Sequence, residues 1–133
     1  MSTRARAAVL GALCALASAA RADDAIPTGD ATRGAALVTS RSQGLCVLCH
    51  PVPGVAAPLQ GTLAPSLAGV GARWTAAQLR ERIAHPERFN PDTLMPSYRR
   101  TDGFTRVAAG RQGQALFTEA QLDDVVAYLA TLR

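Results

Sequence analysis

The segment Cys46-Val47-Leu48-Cys49-His50 places two thiols and an imidazole at C-x-x-C-H spacing. On a helical turn, residues three and four apart share a face, so Cys46, Cys49 and His50 can address one object together. Thiols so placed suit thioether bonds to the two vinyl groups of a haem, with the imidazole rising to the iron from the same side. C-x-x-C-H is the attachment signature of a c-type haem. Competing chemistries need more than the chain offers. A structural zinc site takes four ligands, and beyond this cluster the only other Cys and His are Cys14 and His85. A thioredoxin-like dithiol belongs beside a βαβ pattern, and the sequence contains none.

An iron held by His50 calls for a sixth partner. After the first 22 residues the chain has one methionine, Met95, in Asn90-Pro-Asp-Thr-Leu-Met-Pro96. That polar, proline-braced loop is an odd setting for a core methionine, whose alternative role is gap-filling. A thioether is a soft ligand, and His/Met ligation raises the reduction potential relative to harder pairs. His85 is the second candidate; a helix C-terminus before Pro86 also suits a capping or surface histidine. Trp74 can donate its indole N–H to a haem propionate or simply pack. Arg73, Tyr98, Arg99 and Arg100 are candidates for neutralising propionates or for facing a partner.

These residues must be positioned by a small set of helices. Asp30 is a capping candidate for a first helix from about Asp30 to Ser40. Gly34 inside it is either a weak spot or a point where another helix comes close. The haem-binding turn follows at about Gly44–His50, and a proline- and glycine-rich stretch after it reads as loop rather than strand. Thr75-Ala-Ala-Gln78 is a capping-box start for a helix to about His85, with Leu79 and Ile83 on its apolar face and Pro86 ending it. Residues 86–117 read as loop. Thr118-Glu-Ala-Gln121 repeats the capping box, and Leu122, Val125, Leu129 and Leu132 recur at helical spacing. Asp123 and Asp124 are expected on the outer side of this last helix, near its positive end.

The chain has 133 residues and a formal net charge of +4. Residues 1–22 read as a secretory signal peptide: Arg4 and Arg6, the short apolar run Ala7–Leu16, then Ala20-Arg21-Ala22 as an A-x-A site. The apolar run is too short to span a bilayer, and Leu13 before Cys14 does not suit a lipid anchor. Cleavage there would leave a lead-in at 23–29 and a domain at 30–133. It would remove three arginines and no acid, leaving 11 Arg against 10 acidic residues, or +1. Every basic residue is arginine, and no basic patch with interleaved aromatics points to nucleic acid. Export agrees with C-x-x-C-H, since haem attachment in bacteria is periplasmic. A mature domain of about 111 residues has a modest core. A haem would supply much of it, so the apo-protein is expected to fold poorly.

Helix, C-x-x-C-H, loop, helix, loop, helix resembles the layout of a small class I cytochrome c. That resemblance implies an all-α fold, three to five helices with long loops wrapped around one covalently bound haem. It implies a crossing of the terminal helices at a small residue, with Gly34 matched to Tyr128 or Leu129. It makes Pro65, in Ala64-Pro65-Ser66-Leu67, the match for the proline whose carbonyl holds the axial histidine, and Met95 the match for the distal ligand. The wider segments Gly44–Gly54, Gln60–Arg73, Phe89–Tyr98 and Asp124–Leu132 are similar to the SoxX family, the monohaem subunits of SoxAX cytochromes of bacterial sulfur oxidation. The resemblance spans about Asp30 to Arg133. It implies a periplasmic heterodimer with a SoxA-like cytochrome, which holds the catalytic site of an L-cysteine S-thiosulfotransferase. Thiosulfate is joined there to a cysteine of the SoxY carrier (SoxYZ). The present chain would be a non-catalytic redox subunit that takes the released electrons and passes them to a downstream cytochrome. The other reading is a free-standing soluble cytochrome c shuttling electrons between respiratory complexes.

Overall fold

Three helices start at side-chain caps written in the sequence. Asp30 accepts the backbone N–H groups of Thr32 and Arg33 at 2.8 and 3.0 Å and opens α1, Ala31–Thr39. Thr75 and Gln78 form a reciprocal capping box at the start of α3, Ala76–Ala84. Thr118 and Gln121 form another at the start of α4, Glu119–Thr131. Each box satisfies backbone donors that a helix start would otherwise leave unpaired. The computed structural model describes residues 28–133; the leader expected at 1–22 and most of the lead-in at 23–29 lie outside the described residues. Among the described residues all regular structure is helical: four α-helices and four short 3-10 turns.

The stretch after the C-x-x-C-H turn is loop, as its prolines and glycines dictate, with one exception. Val70–Arg73 forms a one-turn helix, α2. Its sequence carries no helix signal; tertiary contact creates it. Gly71 N–H donates to the Leu132 carbonyl at the end of α4, 2.9 Å away, and Val70 is buried in the core.

α1 and α4 form the most extensive helix pair. Their crossing resolves the two readings of Gly34. A Cβ there would lie 1.9 Å from the Asp124 carbonyl oxygen and 2.9 Å from Tyr128 Cβ. The helices meet backbone to backbone, and glycine is what permits it. Leu37, Val38, Phe117, Leu122, Val125 and Leu129 fill the interior around this crossing.

The same close approach corrects the expectation for Asp124. Asp123 does face outward enough to pair with Arg80 of α3. Asp124 does not: it is only 4 % exposed, covered by the start of α1. Its carboxylate accepts Asp30 N–H at 2.7 Å, Arg33 Nε at 2.7 Å and Arg33 Nη2 at 2.8 Å. The Arg33 hydrogen bond holds this carboxyl below the usual carboxylate range, against the opposing effect of desolvation. Because the folded pKa lies below the unfolded one (about 3.9), the stabilisation is complete above pH ~4 and lost as pH falls through the folded value. Asp124→Asn should therefore lower the stability of the protein at pH 7 by about 1–2 kcal/mol, less than the roughly 1.5–3 kcal/mol of a hydrogen bond to a charged group because Arg33 is largely exposed. Urea unfolding of both proteins at pH 7 and pH 3 checks this: the gap should shrink at the lower pH. A gap that does not depend on pH would remove the carboxylate from the explanation.

Candidate functional site

The C-x-x-C-H segment folds as a tight turn. Leu45 adopts a left-handed conformation, φ 63°, and starts the 3-10 turn Cys46–Leu48. The Cys49 and His50 N–H groups both return to the Cys46 carbonyl, at 3.1 and 2.9 Å. This closes the i+3 and i+4 spacing onto one face. Val47 points the other way and is 1 % exposed in the core, anchoring the turn from behind. Neither Cys46 nor Cys49 is in a disulfide.

The chain from Gln60 to Leu67 runs alongside the turn in the same direction and fixes it. Gly61 N–H donates to the Val47 carbonyl (2.8 Å), Ala64 N–H to that of Cys49 (2.9 Å), and Leu67 N–H to that of Pro51 (2.9 Å). A Cβ on Gly61 would sit 1.9 Å from the Leu48 carbonyl oxygen, so the approach demands glycine. The pairing carries Pro65 to His50. His50 Nδ1 lies 2.6 Å from the Pro65 carbonyl oxygen, which can only accept, so Nδ1 carries the proton. Nε2 is then the free donor atom of the ring, the arrangement that orients a metal-bound histidine.

Tyr98, a sequence candidate for the propionates or a partner, is instead a core residue, 3 % exposed. Its hydroxyl donates to the Gly44 carbonyl, its oxygen lies 3.8 Å from Cys46 Sγ, and its ring packs on Phe117 with centroids 4.5 Å apart. It braces the attachment turn from inside. Burial pushes the Cys46 thiol up and the Tyr98 hydroxyl well up, so both are protonated at neutral pH in the protein alone.

Met95 sits in a loop knotted by its own polar side chains. Asn90 N–H donates to the Pro86 carbonyl, Asp92 N–H to Asn90 Oδ1 and Met95 N–H to Thr93 Oγ1, all at 3.1 Å. Cys46, Cys49, His50, Pro65 and Met95 all line one cleft of about 600 Å³, whose other walls are mostly apolar, among them Leu45, Leu63 and Leu94. The volume is that of a cofactor pocket. The donor set is two free thiols, an oriented imidazole and a thioether, with no carboxylate beside them except Asp92. It fits a covalently held haem with soft axial ligation. No group of three or more His, Cys, Asp or Glu suited to a metal ion occurs among the described residues.

The remaining candidates lie outside this lining. His85 caps α3, with Nδ1 3.6 Å from Glu87 Oε1. The Trp74 ring packs under the Arg82 guanidinium, 3.7 Å from the ring centroid, and Phe89 covers Arg82 at 4.4 Å. Arg73 donates to the Ala68 and Ser66 carbonyls, Arg99 to that of Phe117 and Arg100 to that of Asp102. Nothing in the spacing of Tyr98 marked it as a core residue; its role comes from its contact with Gly44, 54 positions earlier.

A sequence model of the family described as Cytochrome c matches residues 31–133. The chain belongs to the cytochrome c family. Among solved structures, this cytochrome is similar to SoxXA from P. pantotrophus. The identity is 37 % and the TM-score 0.69, over 78 % of this chain and 82 % of that one. No curated protein matches. Within its family the chain is a SoxX-type cytochrome c, an electron-transfer protein with covalently bound haem c. The all-α class I layout is the one observed. No helix among the described residues is long and apolar enough to cross a membrane.

Proposed function

We propose that this cytochrome is the electron-accepting, non-catalytic subunit of a periplasmic SoxAX-type complex in bacterial sulfur oxidation. The observation that carries the reading is one cleft joining the C-x-x-C-H turn to the Met95 loop, on a chain 37 % identical to a SoxXA structure. When bound, haem c supplies a one-electron iron couple. The protein's own residues do the rest. Cys46 and Cys49 would hold the haem by thioethers. His50, steered by the Pro65 carbonyl, would offer its Nε2 to the iron. Met95 would offer its thioether sulfur. The mostly apolar lining would surround the ring. Trp74 remains a propionate candidate through its indole N–H, its ring face being taken by Arg82.

In this reading a SoxA-like partner joins a thiosulfate sulfur to the cysteine sulfur of the SoxYZ carrier, releasing two electrons. The present chain accepts them one at a time and delivers them to a downstream cytochrome. Leu94 and Leu63, 83 % and 71 % exposed, line the cleft, and the haem itself would cover them. The test is a native pull-down of tagged, haem-loaded protein from the periplasm of thiosulfate-grown cells, with mass spectrometry of what stays bound. A SoxA-like cytochrome retained in stoichiometric amount through high salt is expected. A clean monomer would instead support the free-standing shuttle.

A further inference from the structure

The Met95 loop is closed at its root by a contact that neither ligand set nor haem fold requires. Glu87 lies in the 3-10 turn Pro86–Arg88 directly after α3, and Ser97 lies two residues beyond Met95. Ser97 is buried, 6 % exposed, and its hydroxyl donates to Glu87 Oε2. Beyond this point the returning chain is pinned to α3: Tyr98 N–H donates to the Ile83 carbonyl at 3.2 Å and Arg99 N–H to that of Ala84 at 3.4 Å. At its start the segment is held by Arg88 N–H on the His85 carbonyl, by Phe89 and Asn90 N–H on that of Pro86, and by Arg88 on Glu81; from Asn90 to Pro96 the hydrogen bonds are only internal turns. The side-chain bond is thus the last tie on the Met95 side of the loop.

We propose that Glu87 and Ser97 form a clasp that positions Met95 and sets how readily its sulfur leaves the iron. Glu87 is a positioning residue, acting through Ser97. The inference rests on the reading of Met95 as the sixth ligand. The Ser97 hydrogen bond holds the Glu87 carboxyl below the usual range, with smaller help from His85 and Arg100, so the acceptor is charged at neutral pH and the bond is of the stronger kind. Losing a hydrogen bond to a charged acceptor shifts a two-state opening roughly tenfold or more.

Imidazole added to oxidised, haem-loaded protein reads that opening, because it binds iron only where Met95 has left. Ser97→Ala and Glu87→Ala should each tighten apparent imidazole binding by roughly tenfold and advance the loss of the weak red-end band of thioether–iron ligation. Glu87→Gln keeps an acceptor without its charge and should fall between wild type and Glu87→Ala. The double variant Glu87→Ala/Ser97→Ala should match either single one, since both remove the same bond. Ser97→Ala leaves a small side chain in a buried place and should fold even if Glu87→Ala does not. Unchanged imidazole affinity in the single variants, or additive effects in the double, overturns the clasp alone. A wild-type protein without the red-end band, and with imidazole binding indifferent to Met95→Ala, overturns the Met95 reading and the clasp with it.

Discussion

A protein with both Cys46 and Cys49 changed to alanine should surrender all of its haem to acidified organic solvent, while the wild type keeps it. Acidified organic solvent unfolds the chain, which ends every coordinate bond and every packing contact. Only carbon–sulfur bonds outlast that treatment, so retention reads covalent attachment directly. Both cysteines line the cleft as free thiols on consecutive rungs of one turn. Either single variant should therefore retain haem through the other. Under native conditions the double variant should bind haem only reversibly. Tethering converts binding into an intramolecular event at an effective concentration in the millimolar range or above, and without it dilution strips the site. The emptied cleft of about 600 Å³ lies beside Tyr98 and Cys46 of the core. The double variant should therefore also lose the sharp unfolding transition of the holoprotein. Haem retained after acid extraction of the double variant would sink the attachment claim.

Met95→Ala is expected to abolish the weak red-end absorption of oxidised protein and to lower the reduction potential. The thioether favours reduced over oxidised iron, and its replacement by water or a harder ligand reverses that preference. The drop should be on the order of 100 mV, within the ~0.8 V over which axial ligands set haem potentials. His85→Ala is the control. His85 caps α3 outside the cleft, so its removal should leave spectrum and potential unchanged. An unaltered oxidised spectrum in Met95→Ala would take the ligand role from Met95. Loss of the band in His85→Ala would reopen the assignment.

Much of this site was legible because its signals are local. The C-x-x-C-H spacing needs only one turn of chain to act, and the turn forms as the spacing implies. The Asp30, Thr75 and Thr118 caps likewise satisfy donors within three residues of themselves, so the starts of three helices follow from the sequence. The failures are all long-range. Asp124 reads as an outer residue when α4 is considered alone; its partners Asp30 and Arg33 are more than 90 residues away in sequence. Tyr98 reads as a polar surface residue until it reaches Gly44, 54 positions earlier. α2 exists because the end of α4 offers Gly71 a carbonyl.

By itself, then, the sequence determined the cofactor chemistry, the helix starts and the pairs of residues that a helical turn places side by side. Tertiary structure decided whether Gly34 was a flaw or a crossing point, which aspartate is buried, and that Tyr98 supports the attachment turn. It also brought the Pro65 carbonyl to His50 and Ser97 to Glu87. The physical reason is that periodicity and capping act over a few residues, whereas burial and charge pairing depend on which distant segments the packed core brings into contact.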